Sequence, residues 1–484
     1  MKVRQLVGLS IAQVAIVGFL LALSFPGTMT NDSARWLRDA RAGVLSDYQP
    51  IGATLMWSLI DPIWPGPLGF VAVNLVLLVG ALLLFFHLAT RRVLIAVICT
   101  VAVLAYPTVL TILPVAWRDV TGLGLLLASL VLAQLVAADR GESTLARVLL
   151  WSALLVLCFV GSLFRENHAA GALSVVAMAA GFTLHRAGLR PGLSGVVGVV
   201  VAAAILMATS IAAFRTASAL TMVKIYPGQA WIGYNIGLLS LETGQNLFPR
   251  DLYPDLTLQR IEELYAVSHN VNPRNVYRRV FWGVFGPNPV ADIPVLDTAS
   301  KQNRLAAAFA EIISRHPLAF ARVRLRETLQ WLDPSKNYSR GSYIRRDIPE
   351  RHAEWIEVDF PTSRPFWSAR LLGSLAQFNA TILNRTPIPL MVLAVVLAAI
   401  AVVAGLPNAV LMLVVSSASV LHLAGVVAVA AVFEFRFGHQ TQTLALVCIA
   451  LFVVDLVGRL AQRRSPAPAP PSVAEAPRGG GHDD

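Results

Sequence analysis

The chain has little charge. Asp, Glu, Lys and Arg together make up 14% of its 484 residues, against 56% hydrophobic. A soluble domain carries about 25% charged residues, so this chain could not cover itself with polar surface in water. A cytosolic enzyme and a disordered chain are both excluded. Lysine is nearly missing: 35 of the 39 basic residues are Arg. That bias suits phosphate, which the planar guanidinium fork grips at two points, and a GC-rich genome would produce it equally well. Cysteine is scarce too. Cys99, Cys158 and Cys448 all fall inside apolar runs, so no disulfide framework holds the polar parts. The chain contains no P-loop, no G-x-G-x-x-G, no H-E-x-x-H and no paired-cysteine motif, which removes the usual apparatus for a nucleotide or a structural zinc. The net charge of +11 is not a nucleic-acid footprint: many of the positive residues sit at the ends of apolar runs, and no basic helix is interleaved with aromatics.

What is present is a series of apolar runs long enough to cross about 30 Å of hydrocarbon. The runs predict an all-α polytopic membrane protein of about ten transmembrane helices. The expected spans are Leu6–Phe25, Leu68–Ala89, Val93–Pro114, Val120–Ala138, Leu149–Phe164, Ala169–Leu184, Leu193–Phe214, Pro387–Ala404, Ala409–Phe433 and Thr443–Leu460. The first reads as an uncleaved anchor, being longer than a signal-peptide core and followed by no clean A-x-A site. An even number of spans puts both termini on one side. Eleven arginines and lysines, among them Lys2, Arg91, Arg92, Arg186 and Arg459, flank the spans on that side, against six on the other. The positive-inside rule then makes the termini cytoplasmic, in a bacterial inner membrane.

Four regions follow: an N-terminal membrane module, 1–214, with a first periplasmic loop at 26–67; a periplasmic helical domain, 215–385; C-terminal membrane helices, 386–462; and a Pro/Ala/Gly-rich tail, 463–484, expected to be disordered and cytoplasmic. Within the first loop the short run Ile51–Ile60, bounded by Pro50 and Pro62, is too short to cross and is expected to lie in the interface or re-enter partway. In the helical domain, helices are expected at Leu256–Val267, Thr298–Arg315, Leu318–Leu332 and Pro365–Leu383.

The polar residues that break the apolar pattern fall on one face. Asp32 follows the first span, Arg118-Asp119 joins the third and fourth, Arg165-Glu166-Asn167-His168 joins the fifth and sixth, and Glu434 to His439, with Arg436, joins the ninth and tenth. An Arg-Asp pair at a helix end also serves as an ordinary cap, and His87 and His422 inside spans read as packing residues. Asp455 lies four residues before Arg459, where an i,i+4 pair accounts for it. Taken together, however, three arginines and a carboxylate at one lipid boundary suit an anionic headgroup whose tail stays in the bilayer, with a base nearby for an acceptor hydroxyl.

These turns resemble the GT-C superfamily of integral membrane glycosyltransferases. Phe25-Pro-Gly-Thr-Met-Thr-Asn-Asp32-Ser, with Ser46-Asp47-Tyr48-Gln-Pro50, is similar to the family's first outer loop. Val115-Ala-Trp117-Arg118-Asp119 resembles its basic-acidic pair, and Leu163-Phe-Arg165-Glu166-Asn167 its Arg-x-Asn. Ile313-Ser-Arg-His316-Pro317 is similar to a His-Pro helix pair, and Phe435-Arg436-Phe to a late Arg-Tyr, with Phe437 in place of the Tyr. The first loop has a single Asp where the protein mannosyltransferases have an acidic doublet.

The resemblance implies transfer of a sugar from a polyprenyl-phosphate donor to an acceptor hydroxyl on a glycan, lipid or protein, at the periplasmic face and with inversion. In that reading Asp32 is the catalytic base and Arg118, Arg165 and Arg436 bind the donor phosphate. Asp47, Tyr48, Asp119, Glu166, Asn167 and His316 support the site or the acceptor. No cofactor is required by the pattern. A divalent cation, Mg or Mn, is compatible with it, with Asp119 or Glu166 as ligands. Two other functions fit the same charges: a lipid-linked glycan polymerase or ligase, and a transporter or flippase without chemistry. The latter would place its ionisable residues near the midplane in repeated halves, and no such halves are present.

Overall fold

The computed structural model describes residues 3–138, 143–165, 167–269, 293–332, 359–361, 363–378, 386–429 and 435–464. Among them the chain is all-α, with two isolated β-bridges and no strands. It is a multi-pass membrane protein. Among the described residues, eight helices are long and apolar enough to cross: α1 (Val3–Ser24), α4 (Pro67–Thr90), α7 (Arg118–Ala138), α8 (Thr144–Phe164), α9 (His168–Arg186), α10 (Pro191–Leu220), α17 (Ala409–Val429) and α18 (Phe435–Arg464). Two more apolar helices are shorter, α5 (Val93–Ala105) and α16 (Ile388–Val403). The tail from 465 onward, expected to be disordered, lies outside the described residues.

The third expected span, Val93–Pro114, is not one helix. Proline cannot donate to the ladder and drives the residue before it out of the helical region. Tyr106 accordingly sits at φ −63°, ψ 130°, α5 ends at Ala105, and a single turn, α6 (Pro107–Leu110), follows. The chain then runs into an extended segment that pairs with the first loop, Thr28 against Val115.

Helix α7 sits at the centre of the bundle, packed against α4, α8 and α9. Polar side chains tie it there: Asn74 of α4 donates to the Trp117 carbonyl at 3.1 Å and accepts from Thr121 at 2.6 Å. Helices α9 and α10 meet through small residues. A Cβ added at Gly198 would lie 2.9 Å from the backbone N of Gly181, so only glycine permits that approach.

The first loop contains a helix that its charge conceals. α2 (Asn31–Arg41) buries Ala34, Trp36 and Leu37 on one side. Its start is a capping box, in which Thr30 Oγ1 accepts from the Ser33 N–H and the Ser33 hydroxyl reaches back to the Thr30 N–H. Asp32 in the first turn and Arg38 and Arg41 in the last complement the helix dipole. The run at Ile51–Ile60 forms α3 (Gly52–Ile60), packed against α2, α4 and α8.

A second core lies between residues 230 and 323. It gathers α11 (Gly228–Thr243), α12 (Leu258–His269), α13 (Ala299–Arg315) and α14 (Pro317–Leu332) around Tyr234, Leu239, Ile261, Tyr265, Leu305 and Val323. Helix α11 falls where no helix was expected. The helix expected at Pro365–Leu383 is α15 (Phe366–Phe378), and 379–385 lie outside the described residues.

Candidate functional site

The polar turns at one end of the bundle meet. The first loop is stitched to the segment before α7 by backbone and side chain together. Thr28 N donates to the Pro114 carbonyl at 2.7 Å, Ala116 N to the Thr28 carbonyl at 2.9 Å, and the Ser33 hydroxyl to the Ala116 carbonyl at 2.8 Å. The Trp117 indole N–H donates to Thr30 Oγ1 at 3.0 Å. Arg118 then lies over the ring of Trp36, 5.5 Å from its centroid, and Trp36 is one helical turn beyond Asp32. Asp32 and Arg118 are thus presented by two elements sewn to one another.

The next two turns join through charge. Arg165, at the C-terminal end of α8, meets Asp119 in the first turn of α7 at 2.5 Å, with both residues buried. Gln440 Nε2 of α18 donates to the Asp119 carbonyl at 2.7 Å. Gly122, one turn into α7, faces Gln440 and Arg165 and leaves them room. Helix α3 closes the other flank, its Gly52 set directly against the Leu163 carbonyl.

Beneath this ion pair lies a layer of buried polar groups. Asn167 Nδ2 is 3.3 Å from His422 Nε2, whose Nδ1 is 3.1 Å from the Thr441 hydroxyl. Ser419 donates to the Thr441 carbonyl at 2.9 Å. His168 and His439 are equally buried, and the His168 ring packs on Gly161, where any side chain would collide with it. His422 is therefore a hydrogen-bonded bridge between α9 and α18. The sequence pattern puts His168 and His439 in turns on one face, but gives no sign that His422, inside a span, joins them.

The remaining expected site residues fall into three groups. Tyr48 is near the site's rim, its ring 3.5 Å from the Arg35 guanidinium carbon. Asp47 is occupied by backbone: its two oxygens accept from the N–H groups of Ile225 at 2.5 Å and Tyr226 at 3.1 Å, pinning the first loop to the chain after α10. His316 lies half-buried between α13 and α14, where its backbone carbonyl accepts from the Phe320 N–H. Glu166 and Glu434 lie outside the described residues, as does the side chain of Arg436, which belongs to the first turn of α18. Asp455 does not pair with Arg459: its carboxylate accepts from Asn408 N and Nδ2, both at 2.8 Å, while Arg459 donates to the Ala404 carbonyl. The helix ends at that turn present unpaired backbone groups, and these win both side chains.

One buried arginine escaped the sequence reading. Arg364 donates to the Leu23 carbonyl at 3.0 Å and to Thr28 Oγ1 at 2.7 Å, so it caps the end of α1 and holds the segment that leads to Asp32. Burial pushes its guanidinium pKa down to about 10. Of the two carboxylates that could hold a divalent cation, Glu166 lies outside the described residues. Asp119 is committed to Arg165, and among the described residues no group of three or more His, Cys, Asp or Glu side chains is placed to hold a metal ion.

No protein-family model, no curated protein and no solved structure matches the chain. Its class rests on its own architecture, an all-α polytopic membrane protein with a charged cluster at one end of the bundle.

Proposed function

We propose that the chain is a membrane glycosyltransferase of GT-C type, moving a sugar from a polyprenyl-phosphate donor to an acceptor hydroxyl at the periplasmic face of a bacterial inner membrane. The observation that carries this reading is the junction of Asp32's helix with Arg118 and, through Asp119, with Arg165, at the end of apolar helices. Arginine prepositioned at a lipid boundary suits a phosphate whose prenyl tail stays in the bilayer. In the step itself the acceptor oxygen attacks the anomeric carbon, the bond from that carbon to the phosphate oxygen breaks, and Asp32 takes the hydroxyl proton. Arg118 and Arg165 stabilise the charge that develops on the departing lipid phosphate. Asp119 acts as a positioning residue, fixing the Arg165 guanidinium by their ion pair. The second core, beside this end of the bundle, shapes the acceptor site.

The test is release of lipid phosphate by the purified, reconstituted protein supplied with a panel of polyprenyl-phosphate sugars. Turnover of at least one donor is expected, and Asp32→Asn should lower it about 10²- to 10⁴-fold, the usual worth of a general base, with folding intact. Inactivity towards every donor, or an active Asp32→Asn protein, overturns the assignment.

A further inference from the structure

At the opposite end of the bundle, a groove of about 1050 Å³ runs between α5, the turn joining α16 to α17, and α18. Its volume lies at the upper end of the roughly 300–1,000 Å³ of a small-molecule pocket. The lining changes character along its length. Ile95, Ile98, Val103, Ile449 and Val453 make one stretch apolar, with Ile98 and Val453 on its open, exposed side, while Thr90, Arg92, Asn408, Arg459 and Gln462 line the end nearest the Arg92 turn. From Arg92 to Val103 the helix rises about 16 Å. That matches one leaflet of hydrocarbon, about half of 30 Å.

The charge at the mouth is positive. Arg92 is exposed, and among the described residues neither Arg92 nor Arg459 has a carboxylate partner. The one acidic group in the lining, Asp455, is held by two hydrogen bonds from Asn408, and two arginines against this one carboxylate leave the mouth with a positive excess. Arg459 is anchored by its bond to the Ala404 carbonyl, so its guanidinium is held at the rim. A groove one leaflet deep, apolar within and cationic at its mouth, complements an anionic lipid: acyl chain along Ile98 and Val453, phosphate at the two arginines.

We propose that this groove is a binding site for an anionic membrane lipid of the leaflet at the Arg92 end, separate from the charged cluster near Asp32. The test is native mass spectrometry of the full chain released from micelles containing equal amounts of phosphatidylglycerol and phosphatidylcholine. One retained phosphatidylglycerol is expected, preferred about tenfold, as one charge-assisted contact would give. Arg92→Ala should reduce that preference and Arg92→Ala with Arg459→Ala should abolish it. Ile98→Trp, on an exposed position that leaves both arginines and the Ala404 contact in place, should displace either lipid by filling the groove. Equal retention of the two lipids by the unaltered protein overturns the proposal. So does unchanged phosphatidylglycerol binding in Ile98→Trp, or displacement of the lipid by millimolar inorganic phosphate alone.

Discussion

Two clusters of opposite charge solve the same problem in different surroundings. Asp119 and Arg165 meet at 2.5 Å with side chains 1% and 7% exposed. Glu242 of α11 meets Arg322 and Arg326 of α14 at 3.0 Å each, but those arginines are 69% and 47% exposed. In the first cluster both ions have left water, and desolvation costs several kcal/mol per ion. Apolar residues of similar volume would often hold such a place at least as well. In the second, solvent screens the pairs and little is at stake. On the proposed function the buried pair serves its arginine's contact with the donor phosphate, whereas the exposed pairs only trim the surface of the second core.

The largest effect should therefore come from dividing the buried pair. Asp119→Asn leaves Arg165 buried without its counter-charge, and a loss of about 3–5 kcal/mol is expected in SDS-induced unfolding from mixed micelles. Replacing both partners, Asp119→Leu with Arg165→Met, should recover most of that stability while donor turnover stays absent. If the double variant folds and turns over donor as the unaltered protein does, the pair is only structural and the comparison fails.

An intermediate effect is expected inside the second core. Tyr265 donates its hydroxyl to the Tyr234 carbonyl at 2.7 Å, and the Tyr234 hydroxyl donates to Glu327 at 3.0 Å. Gly237 makes room for the first of these: a Cβ there would lie 2.3 Å from the Tyr265 hydroxyl. Gly237→Ala should cost about 1–3 kcal/mol through overpacking, read as earlier proteolysis of the 228–332 region with the membrane helices unchanged. Equal loss in both parts would show that the two cores unfold as one.

The membrane helices were legible because a span needs only a long apolar run, and composition along the chain reports that directly. Where the reading departed, a single residue type intervened, as Pro107 did in breaking Val93–Pro114 into α5 and α6. Helix α2 was missed because its buried side rests on Ala34, Trp36 and Leu37 among charges, although Thr30-x-x-Ser33 signalled its start. The polar turns could be assigned to one face, but not their contacts. Arg165 reaching Asp119, Gln440 reaching the Asp119 carbonyl and Arg364 reaching Leu23 and Thr28 all join segments distant in sequence. Asp47 shows the converse: a carboxylate in a suggestive motif whose oxygens are taken by backbone N–H groups that no motif specifies.

The smallest effect belongs to Glu242. Burial pushes its carboxyl pKa up, but hydrogen bonds from Arg322 and Arg326 push it further down, leaving it below the ordinary 4.5. A depressed carboxyl stabilises the folded state above its unfolded pKa, and that contribution disappears as pH falls through the folded value. Glu242→Gln should thus cost less than about 1 kcal/mol at pH 7, the range of exposed pairs, and nothing once the pH is well below 4.5. Added salt should shrink the difference further, because screening weakens exposed pairs and spares buried ones. Comparison of Glu242→Gln with the unaltered protein at low and high salt, at pH 7 and in acid, reads both trends. A cost near that of Asp119→Asn, or one indifferent to salt, would mean that the second core holds a buried ionic cluster of its own.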